Sequence, residues 1–152
     1  MKKIAVFPGS FDPITIGHYA IVLRALPLFD QIVIAIGVNI DKQGYFSFEQ
    51  RKTWIKEVFK DIEKISVHEY NGLTVDYCRS IGAKFILRGL RTSADFEFER
   101  SVGQANRKLA PEIDTFFLLS APEHTFISSS IVREIHRNGG AVDSFLPPKI
   151  KL

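Results

Sequence analysis

The sequence predicts a doubly wound α/β domain around a five-stranded parallel sheet, and three observations carry that expectation. Short apolar runs alternate with amphipathic stretches along the 152 residues, the pattern of repeated βα units. Residues 31–38 and 115–119 are near-continuously apolar, as strands covered on both faces should be. Turn formers mark the junctions, among them Pro8-Gly9, Gly82, Pro111 and Asn138-Gly139-Gly140.

The first strand is expected over residues 3–7. Pro8 lacks an amide hydrogen and Gly9 can take positive φ, so the strand should end there. Ser10 and Asp12 can bond local backbone amides, and Pro13 fixes a second bend. After Thr15 a helical period begins, with Ala20, Ile21, Val22 and Leu23 near one face. A helix start gathers phosphate through its free amides and dipole. His18 falls in that first turn, and Gly17 leaves space for a nucleotide against the backbone. An ordinary strand-to-helix turn with a solvated histidine accounts for these residues equally well.

The second strand, residues 31–38, precedes a capping box of Ser47 and Gln50 and a helix to about Phe59. Residues 65–69 form the third strand, followed by a helix over 73–81 that Gly82 stops. The fourth strand spans 84–88, and the helix over 93–109 ends before Pro111. The fifth spans 115–119, and a last helix covers 128–137. In such sheets ligands bind at the carboxyl ends of the strands.

Composition narrows the field. Hydrophobic content of 45% with 24% charged residues is that of a globular chain, and the length fits one domain, residues 1–152. No apolar run reaches membrane-spanning length, and the run after Met1-Lys2-Lys3 is too short for a signal peptide. One cysteine excludes an internal disulfide and points to a cytoplasmic chain. Cys78 lies in a helical pattern and reads as a small core residue. A net charge of +3, without a basic stripe or aromatic platform, argues against nucleic acid. Neither Gly-x-x-x-x-Gly-Lys nor Gly-x-Gly-x-x-Gly is present, which excludes P-loop kinases and disfavours a nicotinamide dehydrogenase. His68, His124 and His136 show no ligand spacing with one another or with Cys78, so no built-in metal site is expected.

Polar residues follow each strand. Lys42 is the cation after the second, although a solvated loop lysine is the commoner role. Thr74 closes the turn after the third. Arg88-Gly89-Leu90-Arg91 follows the fourth, and paired guanidinium forks suit phosphate oxygens. Of Ser128, Ser129 and Ser130, one must cap the last helix, and the other hydroxyls suit a polyphosphate. Asp95 and Glu99 share a helical face that matches the dipole, and an inward Glu99 could bond a ribose hydroxyl.

Thr15-Ile16-Gly17-His18 resembles the Thr/His-x-Gly-His signature of the nucleotidyltransferase superfamily. Joined in order by Gly9-Ser10-Phe11-Asp12-Pro13, Lys42, Arg88-Gly89-Leu90-Arg91, Ala94-Asp95-Phe96-Glu97 and Ile127-Ser128-Ser129-Ser130, it resembles the bacterial phosphopantetheine adenylyltransferases. That resemblance implies a Rossmann-like nucleotidyltransferase fold and a homohexamer. It also implies adenylyl transfer from ATP to 4′-phosphopantetheine with Mg²⁺, yielding dephospho-coenzyme A and pyrophosphate, with coenzyme A as a further product-type ligand. It places Ser10, Phe11, His18, Gly89, Leu90, Arg91 and Glu99 at ATP, with His124, Thr125, Phe126, Ile127, Ser128, Ser129 and Ser130. Ser10, Lys42, Thr74 and Arg88 fall to phosphopantetheine. Two departures stand out: Phe98 where the family often has tyrosine, and an end at Leu152 where relatives tend to continue in a helix.

The implied acceptor is a phosphate monoester, largely ionised at neutral pH because its second pKa is about 6. It needs no general base and can attack the α-phosphorus in line, without a covalent enzyme intermediate. His18, Lys42 and Arg91 are the expected catalytic groups: His18 donates to an α-phosphoryl oxygen, and the two cations offset phosphate charge. Rival readings are a nucleotidyltransferase with another acceptor, such as nicotinate mononucleotide or glycerol phosphate, and a non-catalytic nucleotide or coenzyme A sensor.

Overall fold

The computed structural model describes residues 1–39, 41 and 43–152. Ten main elements alternate along the chain: β1 (Ile4–Gly9), α1 (Ile16–Ala25), β2 (Gln31–Gly37), α2 (Phe48–Phe59), β3 (Ile65–Tyr70), α3 (Thr74–Ile81), β4 (Phe85–Leu90), α4 (Ser93–Leu109), β5 (Asp114–Leu119) and α5 (Ser129–Arg137). The strands form one parallel sheet in the order β3-β2-β1-β4-β5. The chain winds outward from β1 to β3, then returns to lay β4 against the other side of β1. A crevice opens where the winding reverses, at the carboxyl ends of β1 and β4.

Side chains alternate across the pleat and so sort into two apolar layers. Ala5, Phe7, Ile34 and Leu87 face α1, α2 and α5, which bury Val22, Ile55 and Val132 against them. Val6, Val33, Ala35 and Ile86 face the other way, toward Val75 and Cys78 of α3. Burial pushes the Cys78 thiol up to about 11, so it packs and does not react. The Ser47–Gln50 capping box is formed, and Gly82 closes α3 at φ 73°.

Two strands run further than their sequence signals, and a third is covered differently. β1 continues through Pro8 and Gly9, paired with β2 to its end. Its pairing with β4 stops at Val6, so the missing Pro8 amide breaks no ladder. Arg88 Nη1 donates to the Pro8 carbonyl at 2.7 Å instead. β4 likewise runs to Leu90, which places Arg88 and Gly89 on a strand and not in a turn. A side chain at 89 would bring its Cβ within 3.2 Å of Ile21 Cγ1, so glycine lets α1 lie close to β4. β5 is not covered on both faces. It is an edge strand paired to β4 alone, and Phe116 and Leu119 are exposed. The helix before it, α4, buries only Glu99.

Candidate active site

The loop between β1 and α1 forms the floor of the crevice, and distant elements hold it. The buried Asp12 carboxylate accepts the amides of Tyr45 (2.7 Å) and Phe46 (2.9 Å), more than thirty residues away and not in its own turn. Arg51, buried in α2, stands 4.0 Å from Asp12 Oδ1 and donates to the Ser10 carbonyl at 2.8 Å. From α5, Arg133 donates to the Asp12 carbonyl (2.8 Å) and Ser129 Oγ to the Pro13 carbonyl (2.7 Å). At Gly44 an added Cβ would sit 2.8 Å from Asp12 Oδ2, so only glycine lets that segment close on the carboxylate. Phe11 adopts φ 48° and tucks its ring edge-on against Phe7 and His18.

Thr15 and His18 then start α1 with a reciprocal cap. The His18 amide donates to Thr15 Oγ1 at 3.3 Å, and the Thr15 amide donates to His18 Nδ1 at 2.9 Å. An Nδ1 that accepts leaves the neutral ring's proton on Nε2. Burial, then the charges of Arg88 and Arg91, lower the His18 pKa from 6.5 to about 4. At neutral pH the imidazole is therefore an uncharged Nε2–H donor.

His18 lines a cleft of about 360 Å³. Arg88 and Arg91 bring their charges into it already paired. Glu99 takes Arg88 Nε (2.9 Å) and Nη2 (2.6 Å) on its two oxygens. Asp95 accepts from Arg91 Nε at 3.0 Å and from the Arg91 amide at 3.1 Å, while Arg91 Nη1 donates to the Ile127 carbonyl at 3.2 Å. Asp95 and Glu99 do share one face of α4, and that face serves to hold two arginines. The three serines divide their work: Ser128 caps α5 by accepting from the Ile131 amide, Ser129 ties to Pro13, and Ser130 accepts from Arg133.

Most residues expected at ATP meet here. Ser10, Phe11, His18, Gly89, Arg91 and Glu99 line the cleft, as do His124, Ile127 and the three serines. His124 Nδ1 is buried without a hydrogen-bond partner among the described residues. Leu90, Thr125 and Phe126 are not part of the wall. Thr125 Oγ1 bonds the Ala121 carbonyl, and the exposed Phe126 packs against Phe145. Of the residues expected at the acceptor, Ser10 and Arg88 are in the cleft. Thr74, bonded to Tyr70 Oη at 2.9 Å, lines an adjoining cavity of about 230 Å³. That cavity shares Pro8, Gly9, Arg88 and Glu99 with the cleft and adds Val102, Asn106 and the mostly exposed Phe98. Lys42 lies outside the described residues. The sequence did not single out Arg51 or Arg133, whose partners sit 41 and 121 residues away. Nor did it find the Thr15–His18 cap, although the i, i+3 spacing of a capping box was there to read.

Two outcomes follow. His18 protonates near pH 6.5 when unfolded but only near 4 when folded, so between those values the unfolded chain binds the extra proton and stability falls with pH. A His18→Gln variant, which keeps a capping-box residue, should lose less stability from pH 7 to 4.5 than the parent, read from urea midpoints. Equal losses would contradict the lowered pKa. Asp12→Ala strips the buried Phe46 amide of its partner and should cost about 1–3 kcal/mol in the same measurement.

The family model of cytidylyltransferase-like proteins matches residues 6–135. A phosphopantetheine adenylyltransferase of Flavobacterium psychrophilum is 55% identical over 152 residues, covering 100% of this chain and 99% of the relative. One from Leptospira biflexa is 49% identical over 97% of this chain and 92% of its own length. Among solved structures, a bifunctional NMN adenylyltransferase/ADP ribose pyrophosphatase from Francisella tularensis superposes with a TM-score of 0.75 at 21% identity. It covers 96% of this chain, which spans 45% of that longer protein. A putative nicotinate-nucleotide adenylyltransferase from Vibrio parahaemolyticus gives 0.72 at 19% identity, covering 97% of this chain and 95% of its own. Those two likenesses are of fold. The sequence matches go further, and by them this chain belongs to the phosphopantetheine adenylyltransferases of the cytidylyltransferase-like family.

Proposed function

We propose that the chain transfers the adenylyl group of ATP to the phosphate of 4′-phosphopantetheine, giving dephospho-coenzyme A and pyrophosphate. The observation that carries this reading is His18, held as a neutral Nε2–H donor in one cleft with Arg88, Arg91 and the start of α5. The relatives' name supplies the acceptor.

The acceptor phosphate is its own nucleophile and needs no base. The protein positions it for in-line attack and stabilises the charge that develops. His18 Nε2–H donates to a non-bridging oxygen of the α-phosphate, and its low pKa keeps that donor neutral across the working range. Arg91 and the unpaired amides at the start of α5 receive the phosphates beyond. Arg88 belongs to both cavities, so it spans the acceptor phosphate while the adjoining cavity takes the pantetheine arm between Val102, Asn106 and Thr74. Lys42 is assigned to the same acceptor phosphate.

Among the described residues no three His, Cys, Asp or Glu side chains gather as metal ligands, and both carboxylates of the ion-paired cleft wall are committed to arginines. Mg²⁺ would then enter with the triphosphate and would offset phosphate charge there, without a protein carboxylate site of its own among the described residues. Self-association fits the apolar residues left exposed on α4 and β5, Phe98, Val102, Leu109 and Leu119. The homohexamer and cytoplasmic location are proposed from the resemblance and from the single buried thiol. No helix of the described residues is long and apolar enough to cross a membrane.

The test follows pyrophosphate release with ATP, Mg²⁺ and, in turn, phosphopantetheine, nicotinate mononucleotide and glycerol phosphate. Turnover with phosphopantetheine alone supports the reading. Preference for another acceptor, or tight dephospho-coenzyme A binding without turnover, contradicts it. His18→Ala should lower kcat roughly 10²–10³-fold with little change in ATP affinity, and a near-parental kcat would remove His18 from the chemistry.

A further inference from the structure

Residues 43–47 lead into α2 without regular structure of their own, so side chains must decide where they lie. Asp12 holds their inner side, since its carboxylate accepts the Tyr45 and Phe46 amides. Gly44 brings no side chain that could hold the outer side. Tyr45 supplies that hold: its hydroxyl bonds His136 Nδ1 of α5 at 2.8 Å, 91 residues away in sequence.

Packing fixes the two rings around this bond. Buried Phe46 meets the Tyr45 ring edge-on at 4.7 Å and the His136 ring at 5.4 Å, and Trp54 of α2 closes on Phe46 at 4.9 Å. The Arg137 guanidinium lies 5.2 Å from the centre of the Tyr45 ring, within cation–π range. A cavity of about 1040 Å³ lies between the segment and α5, lined by Gly44 and Tyr45 on one side and Arg133 and Arg137 on the other. The Tyr45–His136 bond joins those two walls, and either partner can donate in it.

The contacts close a circuit. Positions 133 and 136 are one turn apart on one face of α5. Arg133 holds the Asp12 carbonyl, His136 holds the Tyr45 side chain, and the Tyr45 amide returns to the Asp12 carboxylate. Bonds to a single carboxylate would let the segment pivot about Asp12; a further fixed point at His136 removes the pivot. Asp12 is thereby held in place, and with it Ser10, two residues earlier on the cleft wall. The nucleotide end of the cleft has separate anchors, the Thr15–His18 cap and the pairing of Arg91 with Asp95.

We propose that Tyr45 and His136 are positioning residues for the transfer, their hydrogen bond setting the Ser10 to Asp12 stretch of the floor for the acceptor phosphate. The proposal rests on the adenylyl-transfer reading, in which Ser10 meets the acceptor.

Steady-state kinetics of the parent, Tyr45→Phe, His136→Leu, His136→Asn and the double variant Tyr45→Phe/His136→Leu test this. Tyr45→Phe keeps the ring and its packing and deletes only the hydroxyl, so it decides alone if His136→Leu does not fold. In both single variants that lose the bond, KM for phosphopantetheine should rise about threefold to tenfold while KM for ATP moves less than about twofold. The double variant should match the singles, because each removes the same bond. Asparagine, whose amide can also give or take a hydrogen bond near the Nδ1 position, should recover most of the loss. An unchanged acceptor KM in Tyr45→Phe, an equal rise in both KM values, or additive losses in the double variant each overturn the proposal. A parent without turnover defeats the underlying reading, whereas an active parent with any of those three results defeats this assignment alone.

Discussion

The cap that Thr15 and His18 make for each other is the interaction on which the cleft depends. It satisfies two amides at the start of α1, and in doing so it uses up Nδ1 of the imidazole. The ring can then neither turn nor exchange tautomers without breaking the helix start. Structure and chemistry are thereby joined: the bond that begins the helix is the one that aims Nε2–H. Phe7 and Phe11 close around the ring edge-on, and burial, helped by the two arginines beyond, keeps it uncharged.

Everything else at the site restrains motion. The loop that carries Ser10 to Thr15 buries Phe11 and Ile14 in the core, and α2, the segment around Tyr45 and α5 each bond to it. Glu99 and Asp95 hold the guanidinium planes of Arg88 and Arg91 where a phosphate would meet them. Fixed dipoles and charges of this kind stabilise developing charge without reorganising as the reaction proceeds. Two of the cleft arginines, Arg88 and Arg91, thus arrive already paired with carboxylates, whereas Arg133 has no paired carboxylate among the described residues.

The sequence revealed the fold well because its signals are local. Short apolar runs, the capping box at Ser47 and the glycine stop at Gly82 each act within a few residues. Where it misled, neighbours in space decided. Pro8 stays in β1 because β4 does not pair beyond Val6, and β5 is exposed because it forms the edge of the sheet. The site was less legible. Its motif residues stood out, but Asp12 finds its amides 33 and 34 residues away, and Arg133 reaches back 121 residues. Nothing in the spacing of Ser128, Ser129 and Ser130 says which one caps, which ties down the loop and which meets an arginine. Those roles appear only when α5 is laid against the end of β1.

The most direct measurement is the ¹⁵N spectrum of the His18 ring in the free protein at neutral pH. A protonated Nε2 and a bare, hydrogen-bond-accepting Nδ1, unchanged down to about pH 5, are what the capped and desolvated imidazole requires. An Nδ1–H tautomer, or a ring that titrates near 6.5, would show that the residue is neither pinned by Thr15 nor held neutral, and the account of the cleft would not stand.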